Sequence, residues 1–176
     1  MTTRFYRCDA QPAVVGRGPA DAYSIRVWQP GRDGLPPRGS QRLSNLAWWA
    51  FARFGLFARA DFAELTIWHE QQLLHRLIVT PRWYRFPFMA RRDLQLGALW
   101  TRPDARGRGL ARAAIGEALL RFGGPGVRFW YVVDATNRGS TRLIESCGFQ
   151  LIGTGRRTHP LGLRLFGRFW LESVQI

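Results

Sequence analysis

The sequence predicts an α/β fold, because segments with strand-like and helix-like apolar patterns alternate along one chain. Three features carry this reading. Ala63–His69 and Leu73–Thr80 are strand-like runs separated by the polar Glu70, Gln71 and Gln72, the spacing of a hairpin. Leu94–Thr101 is another such run, and it passes through the glycine-rich turn Asp104–Gly109 into a helical pattern lasting to Phe122. Val127–Val133, apolar except for Arg128, reads as a buried strand, and a second helical segment follows it from Asn137 to Gly148.

Taken in order, the first forty residues are rich in Gly, Pro and Arg, and two loop-like stretches, 12–19 and 29–41, bracket the short run Tyr23–Trp28. That run is read as one strand. Arg42–Ala58 has apolar residues around most of a helical circumference, with Ser44 or Asn45 as its cap and Gly55 near its end, which predicts a mostly buried helix. An interfacial membrane helix is the second reading. Pro81–Asp93 is aromatic and basic, and its two prolines argue against a regular element. In the helix that starts near Arg108, residues Ala111, Ile115, Ala118, Leu119 and Phe122 form one apolar face, with Glu117 and Arg121 paired on the exposed side. Gly148 is a typical C-terminal glycine for the next helix. Two last strands are read at Phe149–Gly153 and Phe166–Glu172. There is no repeat and no sign of a second domain, so residues 1–176 are expected to form one.

Composition narrows the class. A chain of 176 residues with 46% hydrophobic and 22% charged content is globular, and is long enough to build a core without a metal or disulfides. No apolar run reaches the roughly 18 residues of a membrane span, the N-terminus has no secretory pattern, and Cys8 and Cys147 are too few for a disulfide scaffold or a cysteine-ligated zinc. The expectation is a soluble, cytoplasmic protein without a bound metal. All 26 basic residues are arginine, and the net charge is +14. Such a field attracts phosphates on a nucleotide cofactor, a carrier protein, a lipid or a nucleic acid. The arginines are spread evenly, and there is no zinc-finger or RNA-binding signature, which argues against nucleic acid.

The chemistry concentrates at the strand–turn–helix unit. Glycines let backbone come close to a ligand, and the orphan N–H groups of a first helical turn attract an anion. The turn Arg106-Gly107-Arg108-Gly109-Leu110-Ala111 adds two guanidiniums; it lacks both the Walker Gly-Lys-Ser/Thr and the Rossmann spacing. Its pattern Arg106-x-x-Gly109-x-Ala111 resembles the pyrophosphate-binding motif of the GNAT superfamily of acyl-CoA-dependent N-acyltransferases. A second resemblance lies downstream, where Asn137, Ser140, Leu143, Glu145, Gly148 and Phe149 are similar in type and spacing to that family's Asn-x-x-Ala-x-x-Leu-Tyr-Glu-x-x-Gly-Phe helix. The match is best over residues 94–149, while residues 1–62 diverge.

The resemblance implies a mixed, mostly antiparallel sheet flanked by helices and splayed into a V between its fourth and fifth strands, here Leu94–Thr101 and Val127–Val133. It implies acetyl-CoA, or another acyl-CoA, as cosubstrate. The pantetheine arm would pair with backbone at Leu99, Trp100 and Thr101. The pyrophosphate would lie on Arg106, Gly107, Arg108, Gly109, Leu110 and Ala111, with Asn137 touching the arm. The implied reaction is acyl transfer to a primary amine of a small acceptor, which the positive charge predicts to be anionic.

Catalysis is where the sequence departs from the family. Amine attack on a thioester needs a proton acceptor and a proton donor. The family's helical tyrosine falls here on Ile144, and the places of its strand glutamate hold Gln95 and Gly97. The substitutes are His75, beside the expected cleft, Asp93, at the entrance of the fourth strand, and Tyr131, on the fifth. Glu64 and His69 are weaker. His159 is uninformative, and Cys147 is read as packing. Trp48, Trp49, Phe51, Phe54 and Phe57 read first as core and second as an acyl or acceptor pocket. Trp83, Tyr84, Phe86 and Phe88 suggest an acceptor lid or a homodimer contact. The rival readings are a catalytically silent coenzyme A-binding module and an acyltransferase fed by an acyl carrier protein.

Overall fold

A computed structural model describes residues 2–9, 23–35, 42–158 and 167–174. His159 and most of the early loop stretches lie outside these residues. Among these residues the strands form one eight-stranded mixed sheet in the order β2-β3-β4-β5-β6-β1-β7-β8. They are β1 (Thr3–Asp9), β2 (Ser24–Trp28), β3 (Ala63–His69), β4 (Gln72–Pro81), β5 (Leu94–Thr101), β6 (Arg128–Asp134), β7 (Gln150–Arg157) and β8 (Phe169–Val174). The helices are α1 (Pro30–Asp33), α2 (Arg42–Arg53), α3 (Leu110–Phe122) and α4 (Arg138–Ser146). The hairpin β3–β4 is as expected, and seven of the eight strands coincide with predicted runs.

The eighth is the main correction. β1 lies in a Gly-, Pro- and Arg-rich region where the sequence reading assigns no strand before Tyr23, yet it is an interior strand, antiparallel to β6 on one side and to β7 on the other. Phe5 packs into one face of the sheet and Tyr6 into the other, both almost fully buried. A strand buried on both faces shows no apolar/polar alternation, which is why the pattern Thr-Arg-Phe-Tyr-Arg-Cys-Asp is easily passed over. A one-turn helix, α1, also stands where a loop was expected.

Two packed faces result. On one, α3 packs against β3, β4 and β5 over an aliphatic core that includes Leu65, Leu77, Leu96, Ile115 and Leu119. On the other, α2 and the segment 82–93 enclose an aromatic cluster. Trp48 stacks on Phe57 and Phe62 at centroid distances of 6.1 and 5.2 Å and meets Phe51 and Trp83 edge-on. Trp83 and Phe86 join this core, whereas Phe54 and Tyr84 remain exposed.

The helix ends follow the expected chemistry. Gly55 and Gly148 both take left-handed backbone, φ 66° and 84°. Leu56 N donates to Phe51 O and Phe149 N to Ile144 O, so each glycine closes its helix and satisfies a terminal carbonyl. The start of α2 differs from expectation. The helix begins at Arg42, so Asn45 lies inside its first turn, where its buried amide donates to Glu64 Oε2 at 2.7 Å. Glu117 and Arg121 on α3 form the predicted i,i+4 pair.

If β1 is structural, removing Phe5 opens a cavity between two sheet neighbours and the aromatic face. Phe5→Ala is expected to lower unfolding free energy by about 3–5 kcal/mol, measured by urea denaturation. Ala substitution of the exposed Asp9 at the end of the same strand should change it by no more than about 0.5 kcal/mol.

Candidate functional site

The site begins with an irregularity in β5. Opposite β4, the register shifts between Arg76 and Ile78, so that Ala98 and Leu99 together face Leu77. Ala98 sits at φ 49°, unusual for a residue with a Cβ, and marks a bulge. The parallel pairing of β5 with β6 covers only Leu94↔Phe129, Gln95↔Trp130 and Leu96↔Tyr131. Burial follows the same division: Leu94, Gln95 and Leu96 are buried, while Ala98 and Trp100 are exposed. From Gly97 to Thr101, β5 therefore presents to β6 a strand edge without ladder partners among the described residues.

Beyond that edge lies a groove of about 870 Å³, bounded by the end of β5, the first turn of α3 and the outer face of α4. Leu99, Trp100, Thr101, Arg106, Gly107, Gly109, Leu110, Ala111 and Asn137 all line it. Arg108 does not; its guanidinium turns back to donate to the Asp104 carbonyl at 3.0 Å. Gly107 and Gly109 both adopt φ 77°, and nothing lies within 4 Å of where either Cβ would point. They are required for backbone conformation, and the space over them is open for a ligand. Gly109 caps α3 without any side-chain hydrogen bond, and Leu110, Ala111 and Arg112 of the first turn, where helix N–H groups lack intrahelical partners, line the groove. Arg106, Arg112 and Arg142 add guanidiniums to the lining. Arg106 Nε donates to the Thr101 carbonyl at 3.4 Å, and Arg112 to Ser146 Oγ at 2.8 Å.

Seven further residues line the groove, Ala105, Arg112, Gly139, Ser140, Arg142, Leu143 and Ser146; Ser140 and Leu143 belong to the second sequence motif without having been assigned to the site, and the other five lie outside both motifs' named positions. Helical spacing was the available signal, since Gly139, Arg142 and Ser146 fall at i, i+3 and i+7 of one α4 face. Asn137 has a second role, capping α4 by accepting the Ser140 N–H at 3.0 Å.

The proton-transfer candidates are scattered. Asp93 is fully buried at the start of β5, and its carboxylate accepts from Ala90 N, Arg128 Nε and Nη2, and Trp130 Nε1 at 2.8–3.3 Å. It ties strands together at the end of β5 remote from the groove. Tyr131 stands at the last β5–β6 pair. Burial pushes its phenol pKa up, opposed by the nearby side chain of Ser140, a groove residue. His75 is completely enclosed, with Nδ1 2.7 Å from Thr101 Oγ1. Burial, with Arg76 beside it, lowers its pKa from 6.5 to about 4. Ile144, at the family's tyrosine position, is fully buried. Glu64 is buried against Asn45 and Arg76, with its pKa raised by burial. His69 is near the surface beside the Tyr23 ring. Burial raises the pKa of the Cys147 thiol, as for a packing residue.

The model of the acetyltransferase (GNAT) family matches residues 35–149. The fold is similar to a GCN5-related N-acetyltransferase from Sphaerobacter thermophilus, at TM-score 0.59 and 19% identity over 87% of this chain and 49% of that one. It is also similar to an acetyltransferase of the GNAT family from Novosphingobium aromaticivorans, at 0.56 and 18% over 88% and 62%. A third is AAC(6')-Iy in complex with the bisubstrate analogue CoA-S-monomethyl-acetylneamine, at 0.50 and 18% over 73% and 90%. The chain spans about half to three-fifths of the length of the first structures it matches. No curated protein sequence matches it. Among the described residues, no helix is long and apolar enough to cross a membrane.

His75 supplies a pH test of this arrangement. Its folded pKa lies below its unfolded value, so the unfolded chain binds the extra proton and stability falls as pH drops from 6.5 through about 4. The loss should total on the order of 3 kcal/mol. Urea titrations across that window are expected to show it in the wild type, with His75→Asn showing a flatter profile.

Proposed function

Because the chain belongs to the acetyltransferase (GNAT) family, we propose that it transfers an acetyl group, or a longer acyl group, from acyl-coenzyme A to a primary amine of a small anionic acceptor. The observation that carries this reading is the groove over the uncapped start of α3. Open space above two left-handed glycines, a helix start without a side-chain cap and lining arginines together fit a pyrophosphate. Gly107, Gly109, Leu110, Ala111 and Arg106 would hold it, with Arg108 adding charge from behind the turn. The free edge of β5 at Leu99, Trp100 and Thr101, together with Asn137, would hold the arm. Bound there, acyl-coenzyme A supplies the activated thioester.

The chain's own contribution is orientation and proton handling. Tyr131 is the proton donor in this reading: burial keeps its phenol protonated at neutral pH, and it lies where β5–β6 pairing ends. Asp93, saturated by four donors, acts as an anchor, and positioning supplies much of the rate. A shallower cleft of about 380 Å³, lined by Phe57, Trp83, Tyr84, Arg82 and Arg168 among others, supports an acceptor that carries an apolar body and an anionic group. The buried Ile144, with Gln95 and Gly97 at the usual glutamate places, favours the second reading of a silent coenzyme A-binding module.

Calorimetric titration with acetyl-CoA, coenzyme A and a long-chain acyl-CoA tests the first part. Micromolar binding is expected, weakened at least about tenfold in an Arg106→Ala/Arg142→Ala variant, or about 1.4 kcal/mol. Absence of binding to all three would sink the acyl-CoA reading and point to an acyl carrier protein as donor. Once an amine substrate is found in a panel, Tyr131→Phe should lower kcat by about 10²–10⁴-fold with KM little changed. Binding without turnover of any amine would favour the silent module.

A further inference from the structure

His75 poses a question that the proposed reaction does not answer. An imidazole with a pKa near 4 is a weak proton acceptor at neutral pH, and this one is fully enclosed, so a general base is the wrong description. Its one hydrogen bond runs from Nδ1 to Thr101 Oγ1 across the β4–β5 ladder, where the two residues are direct partners. Its other nitrogen, Nε2, is buried without a hydrogen-bond partner among the described residues. Thr101 in turn lines the groove, and its carbonyl receives the Arg106 guanidinium.

A neutral imidazole carries one N–H, and the two tautomers have opposite consequences. With the proton on Nε2, a buried donor is orphaned, and the Thr101 hydroxyl must spend its own proton on Nδ1. With the proton on Nδ1, the orphan is an acceptor, which proteins tolerate more readily, and Thr101 Oγ1 is the acceptor of the bond. We propose that His75 is a positioning residue that donates from Nδ1 to Thr101, leaving the Thr101 hydroxyl proton free to donate into the groove to an acceptor oxygen of bound coenzyme A. This rests on the acyl-CoA reading of the groove. Within it, the buried histidine converts an ambivalent hydroxyl into a fixed donor at the point where β5 meets the first turn of α3. The low pKa matches this role, since no second proton reaches the ring at neutral pH.

Two measurements test it. Long-range ¹H–¹⁵N correlation of histidine-labelled protein without ligand, assigned by comparison with His75→Asn, should show Nδ1 protonated and Nε2 bare at pH 7. An Nε2–H tautomer overturns the inference without reference to coenzyme A. Calorimetry with coenzyme A should then show Thr101→Val about tenfold weaker than the wild type and His75→Leu weakened several-fold. The double variant should be no weaker than Thr101→Val alone, because the histidine acts through the hydroxyl. His75→Asn places an amide N–H near the position of Nδ1 and should recover most of the loss seen in His75→Leu, which separates positioning from packing. If the wild type binds coenzyme A and Thr101→Val binds equally well, the His75–Thr101 inference fails alone. If the wild type binds no coenzyme A, the reading of the groove fails and this inference with it.

Discussion

The groove depends on two strands that share hydrogen bonds at one end only, and Asp93 holds that end. Its carboxylate takes two bonds from Arg128 and one from Trp130, both on β6, and one from the backbone of Ala90 just before β5. A carboxylate with no solvent exposure is costly to desolvate, and four donors offset that cost. The start of β5 is thereby fixed against the start of β6, and three ladder pairs follow. The bulge at Ala98 then redirects β5, which continues bound to β4 alone on its way to the turn before α3. A carboxylate at one end of the strand and a strained alanine in its middle set the geometry at the other end.

The two faces of the sheet differ in kind. The α3 face is aliphatic, with small residues such as Ala114 and Ala118 bringing the helix close to β3, β4 and β5. Close packing there fixes the direction in which the first turn of α3 points its amides. The α2 face is built of rings and carries the buried Glu64–Asn45–Arg76 group. A net charge of +14 acts over the whole surface, but around the uncapped helix it is focused by backbone dipoles aligned with it.

Much of this was legible in the sequence where the determinants are local. The hairpin at Ala63–Pro81, the glycine closures at Gly55 and Gly148, and the turn Arg106–Ala111 are each set by residues adjacent in the chain. β1 was not legible, because an interior strand is defined by partners far along the chain and shows no alternation of its own. The same holds for chemistry. His75, Asp93 and Tyr131 were visible as titratable residues on or next to strands. Their surroundings were not, since a His75–Thr101 bond, four donors on Asp93 and a Tyr131–Ser140 contact all join separate elements. The groove residues on α4 were missed because they become neighbours of the turn only when two helices are packed side by side.

The position of β1 also dictates an order of events in making the molecule. Residues 3–9 are made before every other strand of this sheet, yet both strands they bond to lie on the order of a hundred or more residues later. The β3–β4 hairpin, and then α3 against it, can organise while β1 still waits, its two edges unpaired. The sheet is completed when its earliest-made strand enters between its later-made ones, and β6 and β7 meet only through it. Folding of this half is therefore a late, non-local closure, and the nascent chain carries Phe5 and Tyr6 uncovered until β6 and β7 have been made.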